Sequence, residues 1–273
     1  MASEEQTIFI TGAAGGMGLA TGRYFAERGW FVGLFDLDEG RLAEAAAEFD
    51  PDRVMYRRLD VTDEADFAGA MDAFSQRTGG RLDVMFNNAG IAPGAWFEDM
   101  PLETIRRVID INVMGVIIGT RAALPLLKQT PGSLCMSTSS SVATYGHAMR
   151  AVYSASKYAV KGLTEALSLE FERFGVRTAD VLPGCIDTPM LRDSLAAPSG
   201  QQFDESMFER LPKEGAYRVM PVTAIAEAVW NAYHASDVIH WYVPEEVGDI
   251  DRLRAVDLGA AREETKAFLF GNG

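Results

Sequence analysis

Thr11-Gly12-Ala13-Ala14-Gly15-Gly16-Met17-Gly18 (TGAAGGMG) is the stretch that decides the fold. Before it stands Thr7–Ile10 (TIFI), an apolar β-rich run that reads as a buried strand; from it runs Met17–Arg28, with apolar residues at helical spacing. Glycines at such a junction permit a tight turn and let the backbone come close to a ligand. The helix start beyond them presents free N–H groups and a positive dipole. Glycine-rich turns are common, but this one follows a buried first strand and opens a helix. It therefore predicts a cradle for the pyrophosphate of a dinucleotide, formed by Gly12, Ala14, Gly15, Gly16, Met17 and Gly18.

The pattern repeats outward from this point. Trp30–Phe35 reads as a second strand and Glu39–Phe49 as an alanine-rich helix. Val54–Leu59, Leu82–Phe86, Ser133–Ser137, Arg177–Leu182 and His240–Val243 read as further strands. Helices are expected over Glu64–Arg77, Leu102–Lys128, Tyr153–Phe174 and Thr223–Ala235. Strands alternating with helices of this length predict an α/β protein with a doubly wound parallel sheet of about seven strands and helices on both faces. No linker rich in Pro, Gly or Ser divides the chain, so residues 1–273 are expected to form one domain. The rhythm breaks over about 188–221, where prolines and glycines mix with scattered apolar residues; this is the expected substrate lid.

Composition narrows the class. Apolar residues make up 48% of the 273-residue chain and charged residues 23%, which is globular. The formal net charge of −14 argues against nucleic acid and anionic membrane as partners, since both attract cationic surfaces. Two cysteines and three histidines build neither a disulfide framework nor a metal site, so no metal is expected. MASEEQTIFI lacks the basic start of a signal peptide. Asn112, Thr120 and Arg121 interrupt the best candidate for a spanning segment. The expectation is a cytoplasmic enzyme.

Asp36 ends the second strand, where a carboxylate can accept the ribose hydroxyl protons of an adenosine and would repel a 2′-phosphate. Leu37 and Ala14 offer no cation for that phosphate, so NAD is the expected cofactor. Arg41 is the nearby cation that could oppose this, and its expected place is the outer face of its helix. Tyr153 and Lys157 stand four residues apart and share a helix face. That spacing alone arises by chance often enough to decide nothing. Ser140 lies 13 residues before Tyr153, within Ser137–Ser141.

With these pieces in order, the chain resembles a short-chain dehydrogenase/reductase. The matching motifs are TGAAGGMG at 11–18, Asp60 in DVT, NNAG at 87–90, Asn112 in NVMG, Ser140, YSASK at 153–157 and PGCIDTP at 183–189. The resemblance weakens after Met190, and WYVPEEVGD stands where the family usually has Asp-Gly-Gly. It implies a Rossmann-type sheet, a homo-oligomer (dimer or tetramer) and a catalytic set of Asn112, Ser140, Tyr153 and Lys157. Tyr153 would be the general acid/base. Working near pH ~7 from a free pKa near ~10 needs about 4 kcal/mol, and the charge of Lys157 would favour the phenolate. Ser140 would hold the substrate oxygen. Asn112, at a break in its helix, would hold a water linked to Lys157. The resemblance also implies cofactor contacts from Asp60 and Val61 at the adenine and from Asn87, Ala89 and Gly90 at the ribose. Tyr153 and Lys157, then Pro183, Gly184, Ile186 and Thr188, would surround the nicotinamide end.

Ile91–Phe97, Ser141–Val152 and Met190–Met220 should wall the substrate pocket. Their apolar side chains, among them Trp96, Phe97, Tyr145, Met190 and Leu191, point to a hydrophobic secondary alcohol or ketone: a hydroxysteroid, or an aryl or alicyclic alcohol. A sugar or polyol would need more convergent polar groups, and an acidic carrier protein would be repelled by a chain at −14. A dehydratase or epimerase on the same scaffold, or a non-catalytic dinucleotide sensor, stays open as an alternative.

Overall fold

The computed structural model describes residues 5–196, 203–235 and 237–271, so residues 197–202 of the expected lid lie outside it. Strands are β1 (Thr7–Thr11), β2 (Phe31–Asp36), β3 (Val54–Arg58), β4 (Val84–Asn87), β5 (Leu134–Thr138), β6 (Arg177–Pro183), β7 (Cys185–Ile186), β8 (Val219–Met220) and β9 (His240–Val243). Helices are α1 (Gly16–Ala26), α2 (Glu39–Ala46), α3 (Glu64–Thr78), α4 (Leu102–Ile109), α5 (Gly115–Gln129), α6 (Ala151–Glu172), α7 (Pro189–Ala196), α8 (Ser206–Glu209), α9 (Thr223–His234), α10 (Val247–Val256) and α11 (Leu258–Phe270).

Seven strands form one parallel sheet in the order β3-β2-β1-β4-β5-β6-β9. The chain winds from β1 out to β3, then returns to β4 on the other side of β1. That reversal opens a crevice beyond the carboxyl ends of β1 and β4, where ligands bind in such sheets. Helices cover both faces, so the central strands are apolar throughout rather than alternating. Successive side chains still point to opposite layers. Ile8 and Ile10 pack with Phe25, Trp30 and Val229, whereas Phe9 packs with Phe35, Phe67, Phe74 and Leu127 on the other face. Phe9 and Phe35 lie parallel, with ring centroids 3.7 Å apart.

Three expectations needed correction. Asn112, Thr120 and Arg121 do not interrupt the candidate spanning segment: the helix expected over Leu102–Lys128 forms, α4 and α5 joining through a π-turn at Asp110–Met114 into Leu102–Gln129. By length and composition this helix could cross a membrane, but Ile118, Ala123, Leu126 and Leu127 are packed into the core under the sheet. Asn112 and Thr120 are buried because each finds hydrogen-bond partners. The segment after Pro183 holds a small parallel pair, β7 with β8, that its short apolar runs did not announce. The C-terminal stretch, read only as atypical, forms α10 and α11.

Helix α11 packs against two of the segments expected to wall the pocket. Phe268 stacks on Tyr217 at 3.7 Å, and His147 sits 6.0 Å from both rings. Burial, aided by the nearby Arg150 charge, pushes the His147 imidazole down to about 4. Between pH ~6.5 and 4 the unfolded chain therefore takes up a proton that the folded chain refuses. This part of the stability is complete above the unfolded value and declines as pH falls toward 4. His147→Phe should flatten the fall in urea midpoint over that window; parallel curves for variant and wild type would contradict the assignment.

Candidate active site

The glycine turn closes over the end of β1. Gly12 has φ +68°, and a Cβ there would lie 2.9 Å from the Ala89 backbone. A Cβ on Gly18 would lie 2.2 Å from the Gly12 carbonyl oxygen, so only glycine lets α1 start this close to the strand. Asp36 fastens the turn: its carboxylate accepts from Ala14 N–H at 3.0 Å and from Asp38 N–H at 3.1 Å. Met17 packs against the core under the turn, and the Thr188 methyl group lies 3.5 Å from where a Gly16 Cβ would be. Arg41 is not confined to the outer face of its helix: its guanidinium reaches to 3.0 Å from where a Cβ of Gly15 would stand.

Asp60 uses one oxygen to accept from Thr62 N–H and Oγ1–H, which lowers its pKa; its other oxygen has no hydrogen-bond partner among the described residues. Val61 is buried against Gly115. Asn87 departs from its expected place. Its side chain turns into the core, donating to Thr120 Oγ1 at 3.2 Å, and faces Gly119 rather than the crevice. The neighbouring Asn88, not singled out from sequence, holds the crevice open by donating to the Thr11 and Gly12 carbonyls. Pro183 pairs with Val243, Gly184 N–H donates to the Val243 carbonyl, and Ile186 is buried below Thr188.

The chemical residues converge where α6 meets the end of β5. Lys157 is buried and its Nζ donates to the Thr138 carbonyl at 2.7 Å. Ser139 Oγ–H donates to the Lys157 carbonyl at 2.9 Å, which occupies Ser139; Ser140, whose Oγ accepts from Val142 N–H at 3.3 Å, is the serine near enough to the Tyr153 phenol to lower its pKa. Asn112 sits in the π-turn, fully buried. Its amide exchanges two 2.9 Å bonds with the Ile91 backbone and donates to Ser156 Oγ at 3.1 Å. Gly90 stands between Asn112 and Lys157, 3.2 and 3.6 Å from its would-be Cβ. Lys161, which reads as a surface charge from its position, is instead buried and paired with Asp251.

The electrostatics differ from the simple expectation. Burial raises the Tyr153 pKa, while the Ser140 hydrogen bond and the positive charge of Arg150 pull it down. Burial pushes Lys157 down to about 8, opposed by the charge of Asp180. Asp180 is buried on β6, with one oxygen held by His240 Nδ1 at 2.7 Å. Arg150 was missed from sequence; its signal was its place three residues before Tyr153, at the N-cap of α6. It follows Met149, a non-glycine residue at φ +60°, a conformation costing roughly 1–2 kcal/mol. Trp96, Phe97 and Met190 are exposed on the segments expected to wall the pocket, whereas Met207 is buried within the lid.

Comparison with known proteins agrees with this geometry. A family model described as short chain dehydrogenase matches residues 6–198, and the chain belongs to that family. It is 38% identical over 194 residues to trans-4-hydroxycyclohexanecarboxylate dehydrogenase of Sinomonas cyclohexanicum, covering 68% of this chain and 74% of that protein. It is 34% identical over 196 residues to cyclopentanol dehydrogenase of Comamonas sp., covering 71% and 78%. The crystal structure of levodione reductase superimposes with a TM-score of 0.80 at 28% identity, covering 90% of this chain and 97% of that one. The family neighbours hold different cofactors. A 3-ketoacyl-(acyl-carrier-protein) reductase of Brucella melitensis (TM-score 0.76, 25% identity, 90% and 100% covered) was solved with NADH. An alcohol dehydrogenase of Thermococcus sibiricus (0.73, 27%, 88% and 95%) was solved with 5-hydroxy-NADP. The chain is thus a short-chain oxidoreductase with alcohol dehydrogenases among its relatives.

Asp180 provides a test of the site's electrostatics. Asp180→Asn removes the charge that supports the Lys157 ammonium, so the Lys157 titration midpoint should move below about 8. NMR titration of lysine side chains labelled at Cε would follow it; an unchanged midpoint would remove Asp180 from the account.

Proposed function

We propose that this protein is an NAD-dependent dehydrogenase that interconverts a hydrophobic, alicyclic secondary alcohol and its ketone. The observation that carries this reading is the convergence of Ser140, Tyr153 and Lys157 beside the glycine turn. When bound, the dinucleotide supplies hydride transfer at its nicotinamide. The residues present fit it: a glycine cradle at a helix N-terminus, Asp36 at the ribose side and a free Asp60 oxygen at the adenine side.

Tyr153 takes the alcohol proton on oxidation and returns it on reduction. Ser140 donates to the substrate oxygen and steadies charge developing there. Lys157, anchored on Thr138, is positioned to bond the nicotinamide ribose and adds positive charge near the phenol, its Nζ lying 5.6 Å from the ring centroid. Asn112 fixes the loop after Gly90 through Ile91, and from its place in the π-turn its backbone carbonyl would hold a water leading to solvent. The relatives named for ring alcohols and the apolar Trp96, Phe97 and Met190 support an alicyclic substrate.

Asp36 favours NAD because its carboxylate is fixed by two backbone N–H bonds and repels a 2′-phosphate. Arg41 opposes it, but as an exposed cation it is screened by solvent and salt. The protein works as a homo-oligomer in this reading. Phe171 and Leu167 of α6 serve its own core, while exposed Leu102, Met114 and Leu169 remain for a second copy.

Tyr153→Phe should cut turnover by at least ~10²–10⁴-fold while NADH still binds, read by coenzyme fluorescence in parallel with absorbance assays on cyclic secondary alcohols. Near-wild-type turnover in that variant would overturn the mechanism. Asp36→Ala should narrow the ratio of kcat/KM with NAD to that with NADP. A wild type that prefers NADP would overturn the cofactor assignment.

A further inference from the structure

One cation beside the proposed pocket has no carboxylate partner among the described residues. Arg150 lies at the start of α6, partly buried between the 91–97 loop and the lid. Its guanidinium donates to the Ala92 carbonyl and to Ser194 Oγ of α7, both neutral acceptors. It presses against Gly94, where a Cβ would lie 3.2 Å from Cζ. The two walls are further knitted by a bond from Ala95 N–H to the Met149 carbonyl. Among the described residues no carboxylate pairs with Arg150, although the chain holds 39 acidic residues. Neighbouring cations are treated differently: Arg192 pairs with Asp187 and Glu205, Lys161 with Asp251, and Arg218 with Glu246. A guanidinium has five N–H donors in a planar fork that matches a carboxylate, and two neutral partners do not exhaust them. Removing such a charge from water without a counter-ion is costly, which suits a group completed by its ligand.

We infer that Arg150 binds a carboxylate on the substrate, so that the enzyme acts on cyclic hydroxy acids and the corresponding oxo acids. This rests on the proposed oxidation of a secondary alcohol. Arg150 stands at the N-cap of α6, near enough for its charge to act on the Tyr153 phenol, so a substrate with its hydroxyl at Tyr153 and Ser140 meets the guanidinium with another part of the same small molecule. The ring between the two polar ends takes the apolar wall. Arg150 is then a specificity-determining binding residue, and the lid takes part because Ser194 helps to aim it.

The test compares hydroxycyclohexane carboxylates with their uncharged carboxamides, using NAD as acceptor. Wild type should favour the acid in kcat/KM by about 10- to 100-fold, the range for losing hydrogen bonds to a charged group. Arg150→Gln should collapse that ratio to near one; any effect of Arg150 on Tyr153 is common to both substrates and cancels. Gly94→Val, which displaces the guanidinium while keeping its charge, should lower the ratio in the same direction. Cyclohexanecarboxylate, which cannot be oxidised, should bind the wild-type NADH complex and lose that binding in Arg150→Gln, with NADH fluorescence confirming that the variant is folded. Equal use of acid and amide by wild type, or equal binding of cyclohexanecarboxylate by wild type and variant, would overturn the inference while leaving alcohol oxidation intact. A wild type inactive on every secondary alcohol would instead overturn the underlying function, and carboxylate binding would still report on Arg150.

Discussion

A reciprocal bond between α6 and the end of β5 sets the geometry on which the site depends. Lys157 sends its ammonium to the Thr138 carbonyl, and Ser139 sends its hydroxyl to the Lys157 carbonyl. These two bonds fix the depth and rotation of α6 against the strand. The placed helix brings Tyr153 to Ser140, and its N-cap Arg150 to the Ala92 carbonyl. A charged donor buried in this way is costly unless satisfied, so the site and the packing of the helix stand or fall together.

The electrostatics follow from placing few cations in an acidic chain. Lys157 is depressed by burial and partly supported by Asp180 on the face of β6 that packs against α6, while Lys161 is paired directly with Asp251. Tyr153 feels burial on one side and Ser140 and Arg150 on the other. The proposed acid/base group therefore sits between opposing influences, an arrangement common where a proton must move in both directions. At the other end of the crevice, Asp36 acts first on the protein itself, pinning the Ala14 amide so that the glycine turn keeps its shape. One carboxylate thus serves both the turn and the expected ribose contact.

Much of this was legible in the sequence because it is local. The glycine turn, the alternation of buried strands and helices, and the i, i+4 spacing of Tyr153 and Lys157 all depend on neighbours in the chain. Order and spacing of the motifs from Thr11 to Pro189 were sufficient to place the chain in its family, and the parallel sheet followed. Helices α10 and α11 were missed because the sequence after β9 carried no family motif to anchor them.

What only the tertiary structure decided concerns partners distant in sequence. Asn87 reads as a crevice residue until Thr120 and Gly119 are seen to receive it. Lys161 reads as surface until Asp251, 90 residues away, is brought against it. Arg41 reads as an outer-face charge until its reach to Gly15 is measured. Arg150 carries no distinguishing motif; its meaning comes from the neutral company it keeps, Ala92 from one wall and Ser194 from the other. Helical and strand periodicity fixes which side of an element a residue occupies, but a charged group's role depends on which opposite charge reaches it. That pairing is set by folding across the whole chain, and for Arg150 it supplied none among the described residues.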